Sequence, residues 1–295
     1  MNIIKKLQIN ALLYSLCSIL ILYSAASLAN DVTKLESKSI APSDIQKIIN
    51  KGVLDVAMYA RDTPPFYFKD ENGDLAGVDV EIIRGFAKLL GVDVRFNRDS
   101  QSFQEVVDRV YRREADVAIC KLSITFNRVK KVLFTKPYIE LHHGLLVNRL
   151  ALAEQLKGKP REAIIQKLKG KIGVIGNSSY ETYARKFFPK MEIQEYSSWD
   201  DVVSAAIKGE ITAAYRDEVE IKKYMKNSSK DALNLLTVVL KDTRDYKGIA
   251  VAWNNYTLKQ LLDFYIDSLN LDLTADRVLE NYDEILMVIS KNTKG

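Results

Sequence analysis

From residue 53 onward, short apolar runs alternate with stretches in which apolar residues recur every three or four positions, and the whole alternation occurs twice. Residues 53–58 read as a buried strand, 79–90 as an amphipathic helix stopped by Gly91, 92–96 as a strand, 104–113 as a helix and 117–119 as a third strand. Ser43 and Gly52 bracket an earlier helix over 44–50 as N-cap and stop. A second block repeats the order without evident sequence identity: strand 171–175, helix 180–187, strand 191–196, helix 199–208 stopped by Gly209, and strand 211–215. Two β-α-β-α-β blocks predict an α/β protein of two lobes, each a mostly parallel sheet flanked by helices. Sheets of that kind take ligands beyond the carboxyl ends of their strands.

The extended apolar run 145–148 predicts a crossing from the first lobe to the second, and 246–253 a return, so that two strands form a hinge. Lobe 1 is then expected from 44–145 and 246–295, and lobe 2 from 146–245. The helical pattern over 257–271 and the tail over 274–290 are expected to pack back on lobe 1 or to brace the junction. Residues 151–169, rich in Lys and Glu, read as a connection on the lobe surface. A chain of 295 residues with 47% apolar content can fill two medium cores.

The first residues carry a different pattern: Lys5 and Lys6, a mostly apolar stretch over 11–23, then Ser27-Leu28-Ala29. This predicts an export signal over 1–29, a linker over 30–43 and a periplasmic location; an uncleaved anchor is the alternative, since 11–28 approaches the length of a spanning helix. Cleavage removes two lysines and no acid, so the net charge falls from +5 to +3, and it leaves Cys120 as the sole cysteine, excluding an internal disulfide. Basic residues occur only as short pairs such as Arg112-Arg113 and Lys130-Lys131, which argues against nucleic acid as a partner.

The candidate chemistry gathers near strand ends. In the stretch Asp116 to Arg128, an apolar strand gives way to a turn containing Lys121, Ser123 and Thr125, and Arg128 follows. Such a turn presents N–H groups and hydroxyls, and an arginine grips a carboxylate with two bonds. Ser178, Ser179 and Asp217 follow predicted strands of the second block, and Asp217 suits an ammonium, so the set suggests a site for a zwitterion such as an amino acid. Cys120 with His142 and His143 invites a nucleophile reading, but a cysteine ending a buried strand is usually apolar filler. Glu140 and His142 give two ligands where zinc needs three or four, so no metal is expected. Without a phosphate loop, nucleophile elbow or dinucleotide fingerprint, no cofactor is expected either.

With these residues in place, the chain resembles the bacterial extracellular solute-binding proteins of family 3, the polar amino-acid receptors of ABC importers. Five stretches carry the likeness: Gly52-Val53-Leu54 with Pro64-Pro65-Phe66; Gly73 with Gly77-Val78-Asp79-Val80-Glu81; Asp116 to Arg128 followed by Phe134-Thr135-Lys136-Pro137-Tyr138; Ile172 to Glu181; and Gly209 to Asp217. The resemblance implies the two-lobed, type II periplasmic-binding-protein fold, closing on a small ligand for an ABC permease of the inner membrane, as a monomer and not an enzyme. It places the carboxylate-binding arginine on Arg128, the strand-end hydroxyl on Ser123, the second-lobe hydroxyl pair on Ser178 and Ser179, and the amino-group carboxylate on Asp217. This sequence departs from the family where it has Lys121 for serine or glycine, Asn177 for glycine, and Arg216 before Asp217. Thr63 stands where an aromatic lid is usual, leaving Tyr59, Phe66 or Tyr67 as substitutes. Lys121 in the cleft would favour an additional acid on the ligand. Relatives of the family include cyclohexadienyl dehydratases, and receptor lobes also serve in sensing, so both remain alternative functions.

Overall fold

Serine caps and glycine stops divide the described chain. In the computed structural model, residues 43–156, 165 and 167–292 are described; the expected export signal and nearly all of the linker lie outside them. The first helix is α1 (Ser43–Lys51), followed by β1 (Val53–Tyr59), β2 (Phe68–Lys69) and β3 (Leu75–Ala76). Then come α2 (Val78–Leu90), β4 (Asp93–Ser100), α3 (Phe103–Tyr111), β5 (Val117–Ala118), α4 (Phe126–Val129) and β6 (Val132–Phe134). The middle of the chain forms β7 (Ile139–Asn148), α5 (Arg149–Leu156), β8 (Lys171–Ile175), α6 (Ser179–Phe187), β9 (Glu192–Tyr196), α7 (Trp199–Lys208), β10 (Ala213–Asp217) and α8 (Glu218–Asn227). The last elements are β11 (Leu235–Lys247), β12 (Ala250–Ala252), α9 (Tyr256–Leu269), α10 (Ala275–Glu280) and α11 (Tyr282–Asn292).

Ser102 and Ser198 cap α3 and α7 by accepting from Glu105 and Asp201 N–H, while Gly91 and Gly209 end α2 and α7 in the left-handed conformation that glycine adopts without penalty. Gly77 is required for a different reason. A Cβ there would lie 2.2 Å from the Phe66 carbonyl oxygen, and this close approach lets the N–H groups of Val78 and Asp79 donate to Pro65 and Phe66 at 3.0 and 2.9 Å. The start of α2 is thereby fixed against Phe66.

Two five-stranded sheets result, in the orders β4-β1-β5-β12-β6 and β11-β7-β10-β8-β9. β1 pairs in parallel with β4 and β5, and β8 in parallel with β9 and β10, as the β-α-β reading requires. The strands that carry the chain between the sheets and back add antiparallel pairs, so each sheet is mixed. Both sheets belong to one compact unit over Asp44–Gly295.

The expected crossing at 145–148 falls inside β7, which already pairs with β10 and β11 of the second sheet from Ile139 onward. Its apolar run reflects burial on both faces: Leu145 and Val147 join one core with Ile172, Val174 and Tyr215, whereas Leu146 joins another with Val202, Val203 and Ala214. The chain instead passes between sheets at 135–138 and 248–249. These passages run side by side, Thr135 N–H donating to Ile249 O at 2.9 Å and Tyr138 N–H to Lys247 O at 3.0 Å. The first lobe's core joins Leu54, Val56, Ile82, Val106, Val117 and Ile119 to Leu258, Leu262 and Ile285 of the C-terminal helices.

Candidate functional site

Parallel strands aim their carboxyl ends at the seam between the sheets, and the turns that follow β5, β8 and β10 meet there. Lys121, three residues beyond the end of β5, has φ 53, and Asn177 after β8 has φ 55. Both are left-handed positions where a glycine would be unstrained, and a side chain costs on the order of 1 kcal/mol. Two contacts hold the Lys121 turn. Its N–H donates to Asp79 Oδ2 at 2.7 Å, and its ammonium reaches across to the second lobe.

That ammonium, 5% exposed, lies 3.0 Å from Asp217 Oδ2 and 2.7 Å from Glu220 Oε1. Phe66 covers it, the ring centroid 4.8 Å from Nζ. Asp217 also caps α8, accepting from Glu220 N–H. Burial opposes ionisation of Asp217, yet the charges of Lys121, Lys247 and Arg216 hold its pKa below the usual carboxylate value; Glu220 is held low against burial by Lys121, Arg216 and Lys223. The carboxylate expected to receive an ammonium from a ligand therefore already holds one from the protein.

A second buried pair closes the junction. Lys247 Nζ donates to Asp245 and, at 2.9 Å, to Ser123 Oγ; Asp245 further accepts from Ser123 Oγ at 3.1 Å and from Tyr180 Oη at 2.7 Å. Ser123 Oγ lies 2.8 Å from Ser179 Oγ across the seam. Burial lowers the pKa of Lys247, with Asp245 and Asp217 opposing it.

Arg128 differs from these. Thr125 caps α4, and the guanidinium, 4% exposed, donates through Nη1 to Ser123 O at 2.9 Å. It forms no ion pair among the described residues. Burial lowers its pKa, only partly opposed by Cys120, Asp245 and Tyr183, as expected of a cation short of compensation. Arg216 is 7% exposed, stacks 5.5 Å from the Trp199 ring, and likewise makes no ion pair among the described residues. Burial there is outweighed by Glu220 and Asp217, which raise its pKa.

These side chains enclose a cavity. Phe103, Lys121, Ser123 and Arg128 line it from the first lobe, Ser178, Ser179, Tyr180, Tyr215, Arg216 and Asp217 from the second, and Lys247 from the junction. Its ≈ 20 Å³ admits about one water, so a solute enters only when the lobes part. Beside it opens a cleft of ≈ 410 Å³ between Tyr59, Asp62, Thr63 and Pro64 on one side and Ser198, Trp199, Arg216 and Lys223 on the other. Arg216 borders both spaces.

Of the residues singled out from sequence, Lys121, Ser123, Arg128, Ser178, Ser179 and Asp217 meet at the cavity, and Tyr59 and Thr63 at the cleft. Phe66 lines neither; it packs on Lys121. Ser178 does not cap α6 with its side chain but donates to Ile175 O at 2.6 Å. Cys120 is fully buried and burial pushes its thiol up to about 12, far from a thiolate nucleophile. His143 is buried among Tyr180, Tyr183, Phe187 and Tyr215, and burial lowers it to about 4. No group of three His, Cys, Asp or Glu is placed for a metal among the described residues.

Glu220, Tyr180, Asp245 and Lys247 were missed. Glu220 follows Asp217 by three residues, the spacing that puts two side chains at one helix start. Asp245 and Lys247 alternate on one strand face. Both signals were present in the sequence, but without a known partner across the seam neither distinguished itself from surface charge.

Two α/β lobes meeting strand end to strand end over a charged cavity, joined by paired crossings, define a two-lobed solute-binding protein. The sequence matches the model of the bacterial extracellular solute-binding proteins, family 3, over residues 54–283, and the chain belongs to that family. It is 25% identical over 227 residues to a putative ABC transporter arginine-binding protein 2 of Escherichia coli, covering 74% of this chain and 86% of that one. It is 24% identical over 225 residues to the lysine/arginine/ornithine-binding periplasmic protein of the same organism, covering 74% and 83%. Among solved structures it is similar to an ancestral arginine-binding protein bound to arginine, at 27% identity and TM-score 0.61, covering 78% of this chain and 98% of that one. An ancestral amino acid-binding protein, a precursor of cyclohexadienyl dehydratase, shares the fold at 24% identity and TM-score 0.64, covering 81% and 99%.

Proposed function

We propose that this protein is a periplasmic receptor that captures a polar amino acid or related small carboxylate between its closing lobes and delivers it, as a monomer, to an ABC permease in the inner membrane. The observation that carries this reading is Arg128: a guanidinium 4% exposed, bordering the cavity, with no ion pair among the described residues. A buried unpaired cation is costly, and a ligand carboxylate gripped by two bonds relieves that cost. The relatives that bind arginine and lysine support an ABC-linked role.

In this reading Ser123 and Arg128 receive the carboxylate on lobe 1, and closure adds Ser178, Ser179 and the second lobe's charges. A ligand touching both lobes favours the shut form by its differential affinity, and the shut shape is what a permease reads. Catalysis on the same scaffold is less well supported, because a dehydratase needs a cleft acid free to transfer a proton, and Asp217 and Asp245 are each ion-paired to a lysine. Titration of the protein and of Arg128→Ala against amino acids and small carboxylates tests the reading. We expect loss of at least about a hundredfold in affinity with retained folding; equal affinities would remove Arg128 from the site.

A further inference from the structure

Building on that receptor reading, we propose that the preferred ligand is a small dicarboxylate without an ammonium group, and that Lys121 stands in the place a ligand's ammonium would otherwise take. A zwitterion needs both a free cation and a free carboxylate in the site. Around the inner cavity the cations are in excess and the carboxylates are taken. Asp217 and Glu220 hold the Lys121 ammonium at 3.0 and 2.7 Å, Glu220 also holds Lys223 at 2.7 Å, and Asp245 holds Lys247. Asp79 is engaged from behind by the Lys121 N–H.

Against those carboxylates stand Lys121, Arg128, Arg216 and Lys247 around the cavity, and Arg128 and Arg216 make no ion pair among the described residues. The two guanidiniums are 4% and 7% exposed, so water screens them poorly. Arg128 borders the inner cavity and Arg216 both the cavity and the cleft, so an elongated ligand with an acid at each end meets one of them at each end. The start of α6 adds to the same sign: its N-terminal N–H groups are not capped by Ser178, whose hydroxyl turns to Ile175 O, and Ser178 and Ser179 border the cavity.

At the inner cavity an incoming ammonium finds no uncommitted carboxylate among the described residues; Asp200, which borders the cleft, is exposed to water. To bind there, the ammonium must displace Lys121 and leave that charge buried and unpaired, since the backbone at Lys121 is pinned to Asp79 and Phe66 lies over its ammonium. Discrimination of roughly a hundredfold against the amine is expected from such a loss.

Glutarate and L-glutamate share a carbon skeleton and differ in the ammonium alone, so they form the matched pair for the test, with L-arginine as a cationic control. By calorimetry the protein should bind glutarate roughly a hundredfold more tightly than L-glutamate, and L-arginine more weakly still. Lys121→Gly, which suits φ 53 and vacates Asp217 and Glu220, should reverse the order of the pair; Lys121→Met serves the same purpose should the glycine variant not fold. Tighter binding of L-glutamate or L-arginine than of glutarate by the unaltered protein would overturn this inference while leaving the receptor reading intact. A preference unchanged in both Lys121 variants would overturn the role given to that residue. Absence of binding by all three probes at millimolar concentration would overturn this inference and leave the receptor reading to the wider titration with amino acids and small carboxylates.

Discussion

Asp245→Asn tests the buried charges at the junction. Asp245 and Lys247 have side chains 0% and 2% exposed, and the carboxylate also accepts from Ser123 and Tyr180. The amide keeps the volume and can still accept from Tyr180, but it leaves the ammonium without its counter-charge. Breaking a buried pair in this way costs about 3–5 kcal/mol, and for a domain of this size each 1 kcal/mol lowers Tm by roughly 2–4 °C, so a fall on the order of 10 °C is expected in thermal denaturation. Removing both charges in Asp245→Asn with Lys247→Met should return stability to within about 1 kcal/mol of the original, because the desolvation cost of the ammonium disappears with it. The variant also carries a pH signature. Burial already holds the folded pKa of Lys247 below its ordinary 10.5, so the unfolded chain binds more protons between the two values and stability rises with pH through that window. Loss of Asp245 widens the window downward, so the single variant should gain stability more steeply than the original between neutral pH and 10.5. An unchanged Tm for the single variant, or a double variant as unstable as the single, would refute the reasoning.

Asp79→Asn should show the opposite pH dependence. Burial raises this carboxyl from 3.8 to about 7, so the folded chain binds more protons between those values and stability falls as pH rises through them. The amide does not titrate, so urea denaturation should show the variant gaining on the original from pH 4 to pH 8, by up to roughly 4 kcal/mol. His143, lowered to about 4, acts in both proteins and cancels in the difference. Gly77→Ala should destabilise by roughly 3 kcal/mol or more, since its Cβ would overlap the Phe66 carbonyl at 2.2 Å with φ at 127; a Tm within a degree or two of the original would show that the α2 start can move.

Local rules determined much of this protein. The strand over Lys171–Ile175 and the helix over Trp199–Lys208 fall where periodicity and the glycine stop put them, because side-chain period and capping act within a few residues. Helix α5 escaped the sequence reading, since its Lys- and Glu-rich surroundings carry no apolar period. The strand-end position of Ser123, Ser178, Ser179 and Asp217 was legible for the same local reason, and with it the family. What sequence could not give was which charges meet. Lys121 and Asp217 are 96 residues apart and Ser123 and Lys247 124 apart, so their pairing is decided only when the two sheets are brought together. Charge type is written in the chain, but whether a buried lysine is a ligand's partner or its substitute depends on the counter-charge that folding places beside it.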